Sequence, residues 1–307
     1  MRTLAQQLGF QPDAKLLIVH ADDLGMAHAV NAATIEAFQT GLVNSGSAMV
    51  PCPWFAEIAG YAKSHPEVDL GIHLTVTSEW NSCRWGPVSS RNKVQSLLDP
   101  EGYFHVDWTE KTHIKVREVE HELRAQIERA LAMGVRPSHL DSHQFLLYRN
   151  GKDLFELMVR LGREYEVPVA MSRDWFPSRS YFERSLGLHV IAVDREIDIG
   201  RDVPPERWSD FYSDVIRSLL PGVTELIIHV GYDDAELRAL AGGCENWGSG
   251  WRQRDFDFFT SGVLRQLLQE NDIELVTWRD LRRASQEQAE SSNRRFPFDA
   301  RLAFLRE

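Results

Sequence analysis

Eight apolar runs of strand length recur along the chain with helix-like stretches between them. They are LLIVH (16–20), VNSGSAMV (43–50), DLGIHLTV (69–76), SHLDSH (138–143), VPVAMS (167–172), LHVIAV (188–193), TELIIHV (224–230) and IELVTW (273–278). Strands that alternate with helices pair in parallel, because a crossover must intervene before the next strand can lie alongside. About eight such strands close a barrel. The pattern therefore predicts an α/β fold, a TIM-barrel-like (β/α) barrel, distorted or incomplete, with long loop insertions.

The first unit shows the logic. After LLIVH, residues 28–41 place Val30, Ala33, Ala37 and Phe38 at helical spacing and stop at Gly41. Further helices are clearest over 112–133, 152–165, 205–220 and 255–270. This organisation predicts a single barrel domain over residues 1–285 and a C-terminal tail over 286–307 that docks on the body or on another subunit. Two segments, 78–107 and 241–255, are polar and dotted with Trp and Gly. Loops of such length inside compact domains usually carry function.

The net charge of -11 and the lack of a long Lys/Arg block before the tail disfavour nucleic-acid binding. A metal ion or a neutral small ligand suits this balance better. Cys52, Cys83 and Cys244 are odd in number and scattered, which suggests neither a disulfide framework nor a cysteine zinc site. No run approaches the ~20 apolar residues of a membrane span, and the first residues lack a signal-peptide centre. The expectation is a cytoplasmic protein with no membrane partner.

In a parallel barrel the chemistry collects where strands end at their C-terminal side. Strand one ends in Asp22 and Asp23, strand three carries His73, and strand four carries His139 and Asp141 with His143 in the turn beyond. Strand five ends in Arg173 and strand seven in His229. Each has an ordinary reading: adjacent Asp before Gly as turn residues, a strand His as a hydrogen-bonded core group, Arg173 as half of a surface ion pair. Together, a carboxylate and two imidazoles converging at one rim make a site for a divalent metal with open positions. The adjacent carboxylates can then differ, one binding the cation and the other taking a proton from water.

Four ordered motifs carry a resemblance that spans most of the chain. ADDLG, with Asn31 in the following helix, is similar to an ADDFG motif; SGSAMVPCPWF, GIHLTVT and RPSHLDSHQ match the next three. The sequence resembles the YdjC-like carbohydrate deacetylases, distant relatives of the polysaccharide deacetylases. The resemblance implies that Asp23, His73 and His143 hold one divalent ion, zinc or magnesium, and that Asp22 is the general base. It makes His229 the general acid or oxyanion stabiliser and directs Arg173 to the substrate pocket. Asp141 and His139 would orient His143 and the base. Val230 replaces the family's proline after His229, and no further His follows the DSHQ segment closely.

The activity implied is metal-assisted removal of an N-acetyl group from an amino sugar or oligosaccharide, in a protein that is monomeric or a homo-oligomer. Trp80, Trp85, Trp247 and Trp251 lie on the two long segments and are candidates for stacking on sugar rings. Rival readings are a metal-dependent hydrolase of another amide or a phosphoester, and a non-catalytic sugar-binding barrel.

Overall fold

The computed structural model describes residues 3–109, 112–175 and 190–295. Nine strands form one parallel sheet: β1 (Lys15–Leu24), β2 (Ser45–Ala48), β3 (Leu70–Leu74), β4 (Leu140–Ser142), β5 (Val169–Ser172), β6 (Val190–Val193), β7 (Arg195–Asp198), β8 (Gly222–Ile228) and β9 (Ile273–Leu275). The hydrogen-bonded order is β6-β5-β4-β3-β2-β1-β8-β7. The two ends of that path are consecutive in the chain, separated only by Asp194, so one bent segment pairs with β5 through its first half and with β8 through its second. That segment closes the sheet into a distorted barrel. β9 pairs with Lys15–Leu17 at the start of β1, whereas β2 pairs with its far end.

Side chains alternate along β1 with the period of two that a strand requires. Leu17, Val19 and Ala21 join the large apolar cluster shared with the surrounding helices, while Leu16 and Ile18 join a second cluster with Val223, Ile191, Val193 and Trp278. The second cluster is the barrel floor, plugged by the fully buried Trp278. Above it the same inward row of β1 continues with His20 and Asp22, so the interior changes from apolar to titratable toward the C-terminal mouth.

Helices cover the outside at His28–Thr40, Phe55–Ser64, Val116–Ala132, Lys152–Glu164, Trp208–Arg217, Ser249–Phe259 and Gly262–Glu270. The single helix expected over 255–270 is two, broken at Ser261, whose side chain caps the second. Strand β7 lies where no strand was expected. Residues 188–189 of the sixth predicted strand are outside the described residues. The last helix, Trp278–Arg295, runs across the boundary expected at 285, and residues 296–307 of the tail are outside the described residues. No helix among the described residues is long and apolar enough to cross a membrane.

Candidate metal centre and catalytic cavity

Neighbouring residues on a regular strand face opposite ways, so Asp22 and Asp23 need a local device to serve one site. The register of β1 against β2 shifts between Ala21 and Leu24, and Asp23 adopts φ 68°. Asp tolerates this left-handed conformation better than most residues, and the bulge re-aims the second carboxylate. Gly25 follows at φ +90°; a Cβ there would come within 3.1 Å of the Met49 carbonyl oxygen, so the turn into the next helix requires glycine.

Both carboxylates are buried at the mouth, and each commits one oxygen to the protein. Asp22 Oδ1 accepts from Ser47 Oγ at 3.2 Å and lies 3.1 Å from His20 Nε2. Asp23 Oδ2 receives Arg252 Nη2 at 2.6 Å. Burial opposes ionisation of Asp23, but Arg252 and His143 hold its carboxyl well below the usual range. Burial likewise opposes ionisation of Asp22, yet His73 and His20 lower it.

The other oxygen of Asp23, Oδ1, is buried with no hydrogen bond. It lies 3.2 Å from His143 Nδ1 and 3.6 Å from His73 Nε2, and these two ring nitrogens are 3.3 Å apart. Tetrahedral donors with bonds of ~2.1 Å sit about 3.4 Å from one another. The outer ring nitrogens are committed elsewhere: His73 Nδ1 is 3.0 Å from Asp141 Oδ1, and His143 Nε2 is 3.1 Å from Glu79 Oε2. Carboxylates accept, so these outer nitrogens donate and the inner ones present lone pairs. Two lone pairs and a carboxylate oxygen at these separations repel unless a proton on one ring or a metal ion sits among them. The donor set fits a divalent ion.

Asp23, His73 and His143, expected as ligands, thus come together, with Asp22 beside them. Asp141 stands behind His73 and 3.4 Å from His20 Nε2, whereas the group behind His143 is Glu79, from the first long segment. His139 is fully buried deeper in the barrel, with Nδ1 2.9 Å from Ser138 Oγ and Nε2 3.8 Å from Asp141 Oδ2. Arg173 pairs with Asp194 at 3.0 Å, at the junction of β6 and β7, instead of lining the cavity.

His229 follows β8 with Nε2 4.0 Å from Asp23 Oδ2. Burial pushes its pKa down to about 4, and Arg252 adds to this against the pull of Asp23. Its backbone N–H donates to Asp255 Oδ2 at 2.9 Å, and Asp255 also accepts from Trp208 and Tyr212. Arg252 and Asp255 lie one turn apart on the helix Ser249–Phe259. That helix, which begins within the second long segment and runs on to Phe259, holds both Asp23 and the His229 backbone.

These groups line a cavity of about 720 Å³ at the barrel mouth. Trp80, Trp175, Trp247, Phe145 and Tyr148 give it aromatic walls, and β7 adds Glu196 and Asp198. Burial pushes Glu196 up to about 10 and Asp198 up to about 6. Of the four tryptophans expected to meet sugars, Trp80 and Trp247 line the cavity. Trp85 is buried and donates to the Thr77 carbonyl, and Trp251 is buried against Trp208 and Trp247.

Residues 16–270 match the family model described as YdjC-like protein. The chain belongs to the YdjC-like family. A carbohydrate deacetylase of Thermus thermophilus is 34% identical over 280 residues, covering 88% of this chain and 95% of the relative. A carbohydrate deacetylase of Brevibacillus brevis is 29% identical, covering 86% of this chain and 99% of the relative. The crystal structure of a candidate cellobiose-phosphate cleavage protein from Enterococcus faecalis superposes with a TM-score of 0.71 at 29% identity, over 87% of this chain and 99% of that one. The YdjC-like match thus takes in the whole barrel from β1 to the helix before β9.

Proposed function

We propose that this chain is a divalent-metal-dependent carbohydrate deacetylase that hydrolyses the N-acetyl group of an amino sugar or oligosaccharide. The observation that carries the reading is the convergence of two imidazole lone pairs on an unpartnered, buried carboxylate oxygen beside a second, ionised carboxylate. Deacetylase activity among the relatives named above supports the substrate class. Two imidazoles with one carboxylate suit zinc and other late first-row ions better than magnesium, which prefers oxygen.

An ion held by Asp23, His73 and His143 would polarise the acetyl carbonyl and make water at the site more acidic. The contacts of Asp22 described above use Oδ1; Oδ2 takes part in none of them. Asp22, ionised, takes a proton from water as its oxygen attacks the acetyl carbon. The C–N bond then breaks, the proton held by Asp22 passes to the departing amine, and acetate leaves. Neutral His229 fits a hydrogen-bond donor to the tetrahedral oxyanion, the second of its two expected roles, better than a resident acid. Trp80 and Trp247 line the cavity where the sugar would sit.

The walls favour this substrate over a phosphoester. Asp22 and Asp141, both held ionised, and Asp198 line the cavity and would repel a phosphate dianion. The test is acetate release from N-acetylglucosamine oligomers by protein stripped of metal and then reloaded. Activity should follow the ion, and Asp22→Asn should keep the ion but lose turnover. Reloaded protein that releases no acetate, or an Asp22→Asn variant as active as wild type, refutes the reading.

A further inference from the structure

His20 opens the HADDLG stretch, yet no step above uses it. It is 1% exposed and lies one layer below Asp22 in the inward row of β1. Its Nδ1 is 3.0 Å from Ser45 Oγ. That hydroxyl donates its own proton to Asp69 Oδ2 at 2.8 Å, so toward the ring it acts as acceptor. Glu225 Oε1 lies 3.5 Å from the same nitrogen. On the opposite edge, Nε2 lies 3.1 Å from Asp22 Oδ1 and 3.4 Å from Asp141 Oδ2, with Ser47 Oγ at 3.3 Å. Both ring nitrogens face acceptors, an arrangement that a doubly protonated ring satisfies and a neutral one does not.

We propose that His20 is a buried imidazolium that positions Asp22 and Asp141 together. One internal cation then holds the water-activating carboxylate and also the carboxylate that fixes the ring of His73. The linkage runs Asp22–His20–Asp141–His73, with Asp141 using Oδ2 toward His20 and Oδ1 toward His73. The neighbouring carboxylates outweigh burial in favouring the charged ring. His20 is a positioning residue and touches no reacting atom in this scheme.

A metal is the rival occupant of the same spot, since His20, His139 and Asp141 are close enough to share an ion and His139 Nε2 has no hydrogen-bond partner. Ion content of the reloaded full chain separates the two. One ion per chain is expected; two would overturn the proposal by placing a metal where the His20 proton should be. Nitrogen-15 NMR of the metal-loaded protein at pH 8 should show two ring N–H signals that vanish in His20→Gln. A singly protonated ring overturns the proposal.

The kinetic measurement rests on the deacetylase reading. His20→Leu should lower kcat about 100-fold, the scale of a ~1 Å misplacement of a reacting group, with KM within about threefold and one ion retained. His20→Gln keeps one donor and should recover about tenfold of that loss. Wild-type kcat in both variants, or a loss carried by KM or by ion content, overturns the positioning role. If wild-type protein releases no acetate, the deacetylase reading falls, and the ring N–H count still decides whether His20 is the internal cation.

Discussion

Replacing Arg252 with Met strips a charge from the centre while leaving every proposed ligand in place. The guanidinium is 1% exposed, with Nη2 2.6 Å from Asp23 Oδ2 and Nε donating to the Trp247 carbonyl at 2.7 Å. Methionine keeps much of the volume and none of the charge. Asp23 would remain as a buried carboxylate that has lost the guanidinium on Oδ2. Removing one partner of a buried ion pair costs about 3–5 kcal/mol. At about 2–3 °C per kcal/mol for a domain of this size, the ion-free variant should melt about 6–15 °C below wild type. The Asp23 carboxyl is depressed in the folded state, so its contribution is present above the unfolded value and is lost as pH falls through the folded one. The gap should therefore narrow on acidification below about pH 4. Scanning calorimetry of metal-stripped protein at pH 7 and at pH 3.5 measures both. Arg252→Lys should recover less than half of the loss, since an ammonium lacks the fork that reaches Asp23 and Trp247 together. A Met variant that melts within about 2 °C of wild type refutes this account of Asp23.

Three further outcomes follow from the same contacts. Glu79→Gln should weaken ion binding about 10-fold and Glu79→Ala about 100-fold through the loss of support behind His143; unchanged affinity in a chelator competition refutes that role. Without an ion, burial lowers the pKa of His143, but Glu79 and Asp23 outweigh it and bring the pKa up to about 10. Below that value an ion must displace a proton, so affinity should rise about tenfold per pH unit from pH 7 toward 10. Calorimetry in buffers of different ionisation enthalpy should show at least one proton released per ion, and none released would be decisive against it. Gly71→Ala places a Cβ 2.3 Å from His139 Nε2. It should cost about 1–3 kcal/mol by overpacking, read as a lower urea midpoint; an unchanged midpoint means His139 yields freely.

The parallel barrel was legible because β1 and its neighbours bury apolar side chains with strand periodicity on the helix-facing side. The rim residues were legible because strand ends in such a barrel face one mouth. β7 was not. Its sequence REID carries Glu196 and Asp198 on the inward row, where a core strand would be apolar, since near the mouth that row faces a cavity. Arg252 was hidden for a different reason. Its partner Asp23 lies 229 residues away, and the Gly- and Trp-rich stretch around it reads as a loop. That stretch folds as a helix whose buried residues include Trp251, Arg252, Asp255 and Phe256, so it shows no clear polar face. Glu79 was lost at the edge of a segment read as a function-bearing loop in which only the tryptophans were singled out. Arg173 fitted a motif position, but its guanidinium pairs with Asp194 at the bend that closes the barrel.

The paired carboxylates of β1 explain why these missed residues matter. Two adjacent Asp on one strand repel whenever both face one site, and the bulge at Asp23 makes both face it. The chain answers with two cations from different places: Arg252, delivered by a helix 229 residues away, and His20, two residues back on the same inward row. Within the pair, Arg252 engages one oxygen of Asp23 and His20 one oxygen of Asp22, while His20 also reaches Asp141. In the proposed mechanism Asp23 keeps Oδ1 for an ion and Asp22 keeps Oδ2 for water, so the two groups would act differently despite their identical chemistry. The asymmetry also sets what each mutation should break. Losing Arg252 leaves Asp23 uncompensated and should appear as stability and ion binding. Losing His20 frees Asp22 and should appear in turnover with the ion still bound. A variant of either residue that produced the other's phenotype would show that the two carboxylates are not held independently.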